Sequence, residues 1–484
     1  MTEQTKQPSY LQALLPLTLL VIMLASSVYL FGEDSSYGPN QIALLIAAAI
    51  ATAVGFQNGY SWKTIEEGIT NGISVALGAI LIILMVGSLI GTWLLAGIVP
   101  TMIYYGLELL SPSWFYAASC LICAIVAISI GSSWTTAATI GVALIGVATG
   151  MELSVEITAG AVVSGAYFGD KMSPLSDTTN LAPAVSGTDL FSHIRYMTWT
   201  AIPAFLISLL LFTLLGLSAG SSANLQSLEQ MQFELQALFN ITPLVLLPLV
   251  ALFVLAVMKK PALPTIFIGA ILGGVWALIF QQDIIASIMT PERSAGILAQ
   301  LEVVWIALAE GISVEASSDD LTSLVSGGGM AGMTNTVWLI ISAMTFGAVM
   351  ETTGLLQKLI QGILKMVKST GSLIFSTICT GFGTNVLTAD QYMAIVLPGR
   401  MFRKAYQEYD LDPRVLSRSL ESSGTVTSAL IPWNTCGAYM FSVLGVYPLA
   451  YAPFAFFLLL VPTLAIIYGY TNFKILRLSD QKTA

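Results

Sequence analysis

Apolar runs of about 18 residues or more recur along the whole chain, and each can cross the hydrocarbon core of a bilayer as an α-helix. Only 9% of the 484 residues are charged and 56% are hydrophobic, whereas roughly a quarter of the residues in a soluble domain are charged. A membrane β-barrel would show alternating segments of about ten residues, which this sequence lacks. The sequence therefore predicts an all-α polytopic membrane protein.

Charge and histidine content exclude several function classes. The net charge is −9 and the acidic residues cluster in a few loops, which argues against a nucleic-acid partner. His193 is the only histidine, so a histidine metal cluster is excluded.

The first apolar run, 11–31, is as long as a full span and is expected to be a transmembrane helix rather than a cleaved signal peptide.

The distribution of Lys and Arg predicts the orientation of the chain, because loops rich in them stay on the cytoplasmic side. This pattern places both termini in the cytoplasm and the protein in a bacterial cytoplasmic (inner) membrane. The chain then divides into five predicted regions: an N-terminal helical hairpin (1–71), a first transport repeat (72–218), connecting helices with an acidic outer segment (219–332), an inverted second repeat (333–471) and a cytoplasmic tail (472–484). In the outer segment, 299–313 is predicted to be a surface helix and 327–329 a flexible joint of glycines.

Each predicted repeat contains a hairpin with a polar tip, followed by a helix that a proline interrupts. The hairpins are 114–150 and 370–399, and each is either re-entrant or a pair of short full spans. The interrupted helices are 155–190 and 419–446. Inverted repeats with broken helices that meet near the midplane are typical of secondary transporters, so the sequence predicts that architecture.

The stretch 168–180 is the most polar part of the predicted membrane domain. It contains two carboxylates, an ammonium and a proline, although one charge at mid-bilayer costs roughly 2.5–3.5 kcal/mol. Pro174 has no N–H, so it is expected to free the carbonyl oxygen of Asp170. Oxygen ligands of this kind suit a hard cation such as Na⁺.

The predicted cation site draws on both repeats. Its candidate residues are carboxylates, amides and hydroxyls at the breaks and hairpin tips: Ser132, Ser133, Asp170, Ser173, Asp177, Thr178, Asn180, Thr384, Asn385, Asp390, Asn434 and Thr435. Hydroxyl groups in membrane helices also bond to their own backbone or pack helices together. For Asp170 and Asp177, the structural alternative is an ion pair with Lys171 or Arg195.

Three strings in these regions are long and unusual: Gly169-Asp-Lys-Met-Ser-Pro-Leu-Ser-Asp-Thr-Thr179, Gly383-Thr-Asn-Val-Leu-Thr-Ala-Asp-Gln-Tyr392 and Ile431-Pro-Trp-Asn-Thr-Cys-Gly437. They resemble the motifs of the NhaC-type sodium/proton antiporters, and the resemblance spans about residues 70–470. It implies an inverted-repeat transporter similar to the broad ion-transporter superfamily, without a cofactor. One branch of that family exchanges malate for lactate with Na⁺ and protons, and the motifs do not separate the branches.

The leading expectation is exchange of Na⁺ for H⁺, with Asp177 and Asp170 as the exchanging carboxylates, because burial disfavours the charged form of a carboxylate. The expected partners are Na⁺, H⁺ and lipid; Li⁺, small carboxylates and a homodimer are secondary expectations.

The main alternative is exchange of organic anions, which would need a positive partner such as Lys171. An intramembrane aspartyl protease is disfavoured, because Tyr167 precedes Phe-Gly-Asp170 where that chemistry uses Gly-x-Gly-Asp. Two broken helices in inverted halves also favour a transporter over a channel.

Overall fold

The computed structural model describes residues 6–219, 225–289, 296–316 and 318–481. Within these ranges the only strand-like contacts are two isolated antiparallel bridges, Ile312 with Gly327 and Leu411 with Arg477. Seven helices of the described chain are long and apolar enough to cross a membrane, or up to nine if two bent pairs each count as one span. The prediction of an all-α polytopic membrane protein is confirmed.

The first four helices span the predicted N-terminal hairpin and the start of the first predicted repeat. They are α1 (Tyr10–Phe31), α2 (Pro39–Gln57), α3 (Trp62–Leu95) and α4 (Ile98–Leu109). The first repeat was predicted to start at residue 72, but its first helix, α3, begins ten residues earlier. The reason is the Ser61 hydroxyl, which caps α3 by accepting a hydrogen bond from the backbone N–H of Thr64 at 3.2 Å.

The next elements form a helical hairpin, a broken helix and a long helix. They are α5 (Phe115–Ile130), α6 (Ser133–Thr136), a π-helical turn (Ala137–Gly141), α7 (Val142–Gly150), α8 (Val155–Met172), α9 (Asp177–Ser186) and α10 (Leu190–Ala219). We call α5 to α7 the first hairpin. We call α8, residues 173–176 and α9 the first broken helix.

The connecting region is also helical where it is described. Its elements are α11 (Leu225–Leu238), a 3₁₀ turn (Pro243–Leu246), α12 (Leu247–Val257), α13 (Ala262–Phe280), α14 (Gln282–Ile288), α15 (Ile297–Ala309) and α16 (Asp319–Val325). The stretches 229–238 and 243–257 form one of the two bent pairs, with an angle of 79°.

The remaining elements repeat the order of hairpin and broken helix. They are α17 (Thr334–Thr352), α18 (Leu355–Leu364), α19 (Thr370–Thr388), α20 (Met393–Glu408), α21 (Pro413–Leu420), a π-helical turn (Glu421–Thr425), α22 (Val426–Ser428), α23 (Thr435–Leu444), α24 (Pro448–Tyr451), α25 (Phe456–Thr471) and α26 (Leu478–Gln481). We call α19 and α20 the second hairpin, and α21 to α23 the second broken helix.

Small residues let the first hairpin pack directly on the first broken helix. A Cβ atom on Gly165 would lie 2.0 Å from the carbonyl oxygen of Cys120, and one on Gly169 would lie 2.5 Å from that of Ala124. The backbones of α5 and α8 therefore touch, as small-residue contacts allow in membrane helices. This contact places the end of α8 beside the hairpin tip.

The predicted flexible joint of glycines is wrong, because Gly328 and Gly329 pack against α3. A Cβ atom on Gly328 would lie 2.3 Å from the backbone nitrogen of Gly91, and the N–H of Gly329 donates to the carbonyl of Gly87 at 2.7 Å. The predicted surface helix also contacts α3: the Ser88 hydroxyl donates to the carbonyl of Leu308 at 2.8 Å. The loop and α15 thus stabilise the middle of α3, which also packs against α13 and α17.

The contact between α3 and α15 predicts a strict size limit at Gly91. A methyl group there would lie 2.1 Å from the carbonyl oxygen of Ala307, and overpacking of this kind costs about 1–3 kcal/mol. We expect Gly91→Ala to lower the melting temperature of the purified protein in detergent. Gly332→Ala is the matched control, since its methyl group would meet nothing within 4 Å. Equal melting temperatures for the two variants would contradict the close packing.

Candidate functional site

A cavity of about 810 Å³ lies where the two hairpin tips and the two broken helices come together. Its wall contains the tip of the first hairpin, the break after α8, the tip of the second hairpin and the start of α23. Helix α3 and the loop between α12 and α13 complete the lining. Elements from both halves of the chain therefore build one polar cavity.

Asp170 lies in the last turn of α8 and is a buried carboxylate of this cavity, with 7% of its surface exposed. Its Oδ2 atom accepts two hydrogen bonds from Ser133, from the backbone N–H at 3.2 Å and from the hydroxyl at 2.7 Å. No ion pair to Asp170 occurs among the residues that the structure describes. The hairpin tip thus orients this carboxylate without neutralising it.

Asp177 and Asp390 contribute two further carboxylates from different elements. Asp177 is exposed at the start of α9, where the Tyr392 hydroxyl donates to its Oδ2 atom over 3.5 Å. Asp390 is buried, and its Oδ1 atom accepts the backbone N–H of Met393 at 2.7 Å, which caps α20. No described group of three or more His, Cys, Asp or Glu side chains is arranged to hold a metal ion.

Seven of the twelve predicted site residues line the cavity. They come from the first hairpin tip, the first break, the second hairpin tip and the start of α23: Ser132, Ser133, Asp170, Asp177, Thr178, Asp390 and Thr435. The predicted meeting of polar groups from both halves is therefore present in the structure.

Two predicted residues of the first break lie outside the cavity lining. The Ser173 hydroxyl donates to the carbonyl of Ile128 at 2.8 Å. The Asn180 amide donates to the carbonyls of Pro174 at 3.0 Å and Ser176 at 2.7 Å. Both side chains hold the interrupted backbone in place, because its polar groups must be satisfied inside the membrane domain.

Three predicted residues of the second half have the same kind of role. The Thr384 hydroxyl donates to the carbonyl of Thr380 at 2.8 Å within α19. The Asn385 amide donates to the carbonyl of Gly424 at 2.7 Å, and its Oδ1 atom accepts from the Asn434 amide at 3.1 Å. These amides tie the second hairpin to the second broken helix.

The carbonyl of Asp170 is not free, contrary to the sequence prediction. It accepts the backbone N–H of Ser173 at 3.1 Å and the hydroxyl of Thr179 at 3.2 Å. A tighter 3₁₀-type turn and a side-chain hydroxyl replace the bond that Pro174 removes. The effect of Pro174 is to end α8 beside the cavity, where the Asp170 carboxylate belongs to the lining.

Lys171 does not pair with either aspartate. Its Nζ atom lies 3.6 Å from Oε2 of Glu421 in the second broken helix, and both side chains are fully buried. Neither residue lines the cavity. Lys171 is therefore not placed to bind an anionic substrate there.

Several lining residues were missed by the sequence prediction. Gln391 and Tyr392 follow Asp390 directly and lie at the second hairpin tip, Cys436 follows Thr435, and the ammonium-bearing Lys259 and Lys260 belong to the loop after α12. Gln391, Tyr392 and Cys436 lie within the motif strings given above, so the sequence could have indicated them as site residues. The lysines carried no such signal, since they resemble an ordinary cytoplasmic loop.

A family model described as the Na⁺/H⁺ antiporter family matches residues 165–473, which include the break in the first broken helix, the second hairpin and the whole second broken helix. The chain belongs to this family. It is 39% identical over 436 residues to the malate-2H⁺/Na⁺-lactate antiporter of Bacillus subtilis, with 90% of each chain covered. It is 37% identical over 429 residues to the Na⁺/H⁺ antiporter NhaC of Alkalihalophilus pseudofirmus, with 89% of each chain covered.

A third relative widens the range of substrates. The arginine/ornithine antiporter ArcD of Halobacterium salinarum is 38% identical over 473 residues, which cover 97% of this chain and 93% of the relative. Membership of the Na⁺/H⁺ antiporter family makes the chain a secondary antiporter and not an enzyme. The resemblance to NhaC-type antiporters is confirmed, and the aspartyl protease is set aside. Relatives of nearly equal identity are named for different substrates.

The bonds of Asn385 predict that it stabilises the protein instead of binding the cation. We expect Asn385→Ala to lower the melting temperature, because each buried partner left without a hydrogen bond costs about 1–3 kcal/mol. The folded fraction should keep the wild-type KM for its cation in proteoliposomes. Asn71→Ala, at an exposed position on α3, is the control. A large rise in KM with unchanged melting would instead make Asn385 a ligand.

Proposed function

We propose that this antiporter exchanges Na⁺ for H⁺ by alternating access. The observation that carries the proposal is the Asp170 carboxylate, which is buried, lines the cavity and has no described cationic partner. A hard carboxylate oxygen beside the hydroxyls of Ser132 and Thr178 suits Na⁺. Either Na⁺ or H⁺ neutralises the carboxylate, and a neutral site crosses the membrane at lower cost than a bare charge.

Asp170 is the first choice for the exchanging carboxylate, and Asp177 and Asp390 are supporting groups. Asp177 is exposed, so its charged form is better solvated and has less need of a bound cation. Asp390 is buried, but one of its oxygens already caps α20. Ser133 keeps the Asp170 carboxylate directed into the cavity through two hydrogen bonds.

The proposed architecture follows from the repeated order of elements. We propose that the chain is divided into the five predicted regions, with the second repeat inverted relative to the first. Helix α5 has 16 residues, about 24 Å at 1.5 Å per residue, which is short for a full span. This length supports a re-entrant first arm in the first hairpin, whereas its second arm, Ser133–Gly150, is long enough to span. Cytoplasmic termini and a homodimer belong to the same proposal.

The decisive variant is Asp170→Asn, assayed in everted membrane vesicles with a pH-sensitive dye. We expect Na⁺-driven proton movement to fall to the background, because an amide cannot exchange a proton for a cation. Asp177→Asn should raise the apparent KM for Na⁺ only several-fold, roughly the effect of one solvated charge. Glu67→Gln, exposed on α3, is the control. Wild-type exchange by Asp170→Asn would contradict the assignment.

Competition for one carboxylate also predicts a pH dependence. As the pH rises, fewer protons compete with Na⁺, so the apparent KM for Na⁺ should fall in wild-type proteoliposomes. The same series should be repeated with Li⁺ and K⁺ to define the cation preference. A KM for Na⁺ that does not change with pH would contradict competition at a shared site.

Exchange of an organic solute is the second candidate, and the size of the cavity favours it. Its volume of about 810 Å³ falls in the range of roughly 300–1,000 Å³ that is usual for small-molecule sites. A single Na⁺ does not need that space. Three carboxylates and the two lysines Lys259 and Lys260 could bind opposite charges of one solute.

A counterflow assay separates the two candidates. Proteoliposomes loaded with malate, lactate, arginine or ornithine are mixed with the same labelled solute outside, with and without Na⁺. Labelled uptake that depends on the internal solute would assign organic exchange. We expect no counterflow and retention of Na⁺-driven proton movement.

A further inference from the structure

Lys171 and Glu421 form a buried ion pair between the two broken helices. The distance from Nζ to Oε2 is 3.6 Å and both side chains are fully buried. Neither the ammonium nor either carboxylate oxygen makes a hydrogen bond within the described chain. A buried pair with so few bonds is a weak source of stability, because the desolvation of two charges offsets their attraction. Its position suggests a role other than stability.

Lys171 follows Asp170 directly in the last turn of α8. Successive side chains on a helix point in different directions, and here one faces the cavity while the other faces the second broken helix. The Lys171 ammonium belongs to the residue next to Asp170 and lies 3.6 Å from Oε2 of Glu421. The charge state of the pair therefore bears on the cation site, although the pair does not line the cavity.

Two other titratable groups near the pair are Arg418, a cation, and His193, a buried imidazole. Arg418, one turn before Glu421, is fully buried and stacks over the ring of Tyr196 at 4.3 Å. None of its guanidinium nitrogens makes a hydrogen bond with a described residue. His193, also buried, contacts the Ser417 hydroxyl through Nδ1 at 2.7 Å. Glu421 is thus the anionic group in contact with Lys171.

We propose that Glu421 is a positioning residue for the cation site: it holds the Lys171 ammonium away from Asp170 and neutralises its charge, so that the carboxylate stays open to a mobile cation. This inference rests on the proposed role of Asp170. Without Glu421, the ammonium of Lys171 would be a tethered cation beside Asp170 and would compete with Na⁺.

The test compares Glu421→Gln with the double variant Lys171→Met/Glu421→Gln in proteoliposomes. We expect the single variant to raise the apparent KM for Na⁺ roughly tenfold, as an uncompensated charge in a medium of reduced dielectric would. Its maximal rate should change less. The double variant should return the KM to within about threefold of wild type, because it removes the competitor.

The matched control is the exposed pair Lys404 and Glu408, whose side chains are 86% and 62% exposed at a separation of 3.7 Å. Lys404→Met/Glu408→Gln should leave KM and rate unchanged. A purely structural pair would give a different result: both Glu421→Gln and the double variant would melt at a lower temperature, with no recovery of KM in the double variant. That outcome, or an unchanged KM in Glu421→Gln, would overturn the proposal.

A second measurement does not depend on Na⁺ transport. Asp170→Cys, in a background without the four native cysteines, is labelled with a cationic and an anionic thiol reagent of equal size. Adding Glu421→Gln should raise the rate for the anionic reagent relative to the cationic one, and adding Lys171→Met as well should reverse the change. An unchanged ratio overturns the inference. A wild type that exchanges no Na⁺ would end the proposed function while this ratio still decides where the charge acts.

Discussion

The absence of water in the bilayer core is the constraint on which the structure depends, because each backbone or charged group there must be satisfied by the protein. Both broken helices expose backbone groups that α-helical bonds would otherwise use. The Thr179 hydroxyl and Asn180 amide satisfy carbonyls of the first break. In the second, the Asn385 amide donates to the carbonyl of Gly424, and Oδ1 of Asn434 accepts the N–H of Cys436. Only after these bonds are made can polar groups such as Asp170 face a cavity.

Contacts between the two halves make the site a shared one. The indole of Trp134 at the first hairpin tip stacks on the ring of Tyr439 in α23, with centroids 4.2 Å apart. The Tyr439 hydroxyl donates to the carbonyl of Trp134 at 3.0 Å. These contacts join the first hairpin to the second broken helix, and the pair of Lys171 and Glu421 joins the two broken helices. A change at either break therefore reaches the same carboxylate.

The sequence predicted the parts of the site better than the direction of its side chains. Polar residues near a proline indicate a break, because proline removes a hydrogen bond and the freed groups need partners. Ser173, Asn385 and Asn434 are such partners, whereas Asp170 and Ser133 face the cavity. Residue type does not separate these roles, since the same oxygen can satisfy a backbone or bind a cation. The sequence also could not show that Lys171 pairs with Glu421, because the two residues are 250 positions apart.

The sequence by itself determined the helical membrane class, the places where helices break and the family, because long apolar runs, prolines and motif strings are local properties of the chain. Tertiary structure alone decided which polar groups share the cavity and which bond to the backbone. It also decided that Gly328 and Gly329 pack on α3, and that Lys171 faces Glu421 and leaves Asp170 open. These outcomes depend on distances between segments far apart in the chain, which folding sets by close packing and by the need to satisfy buried polar groups.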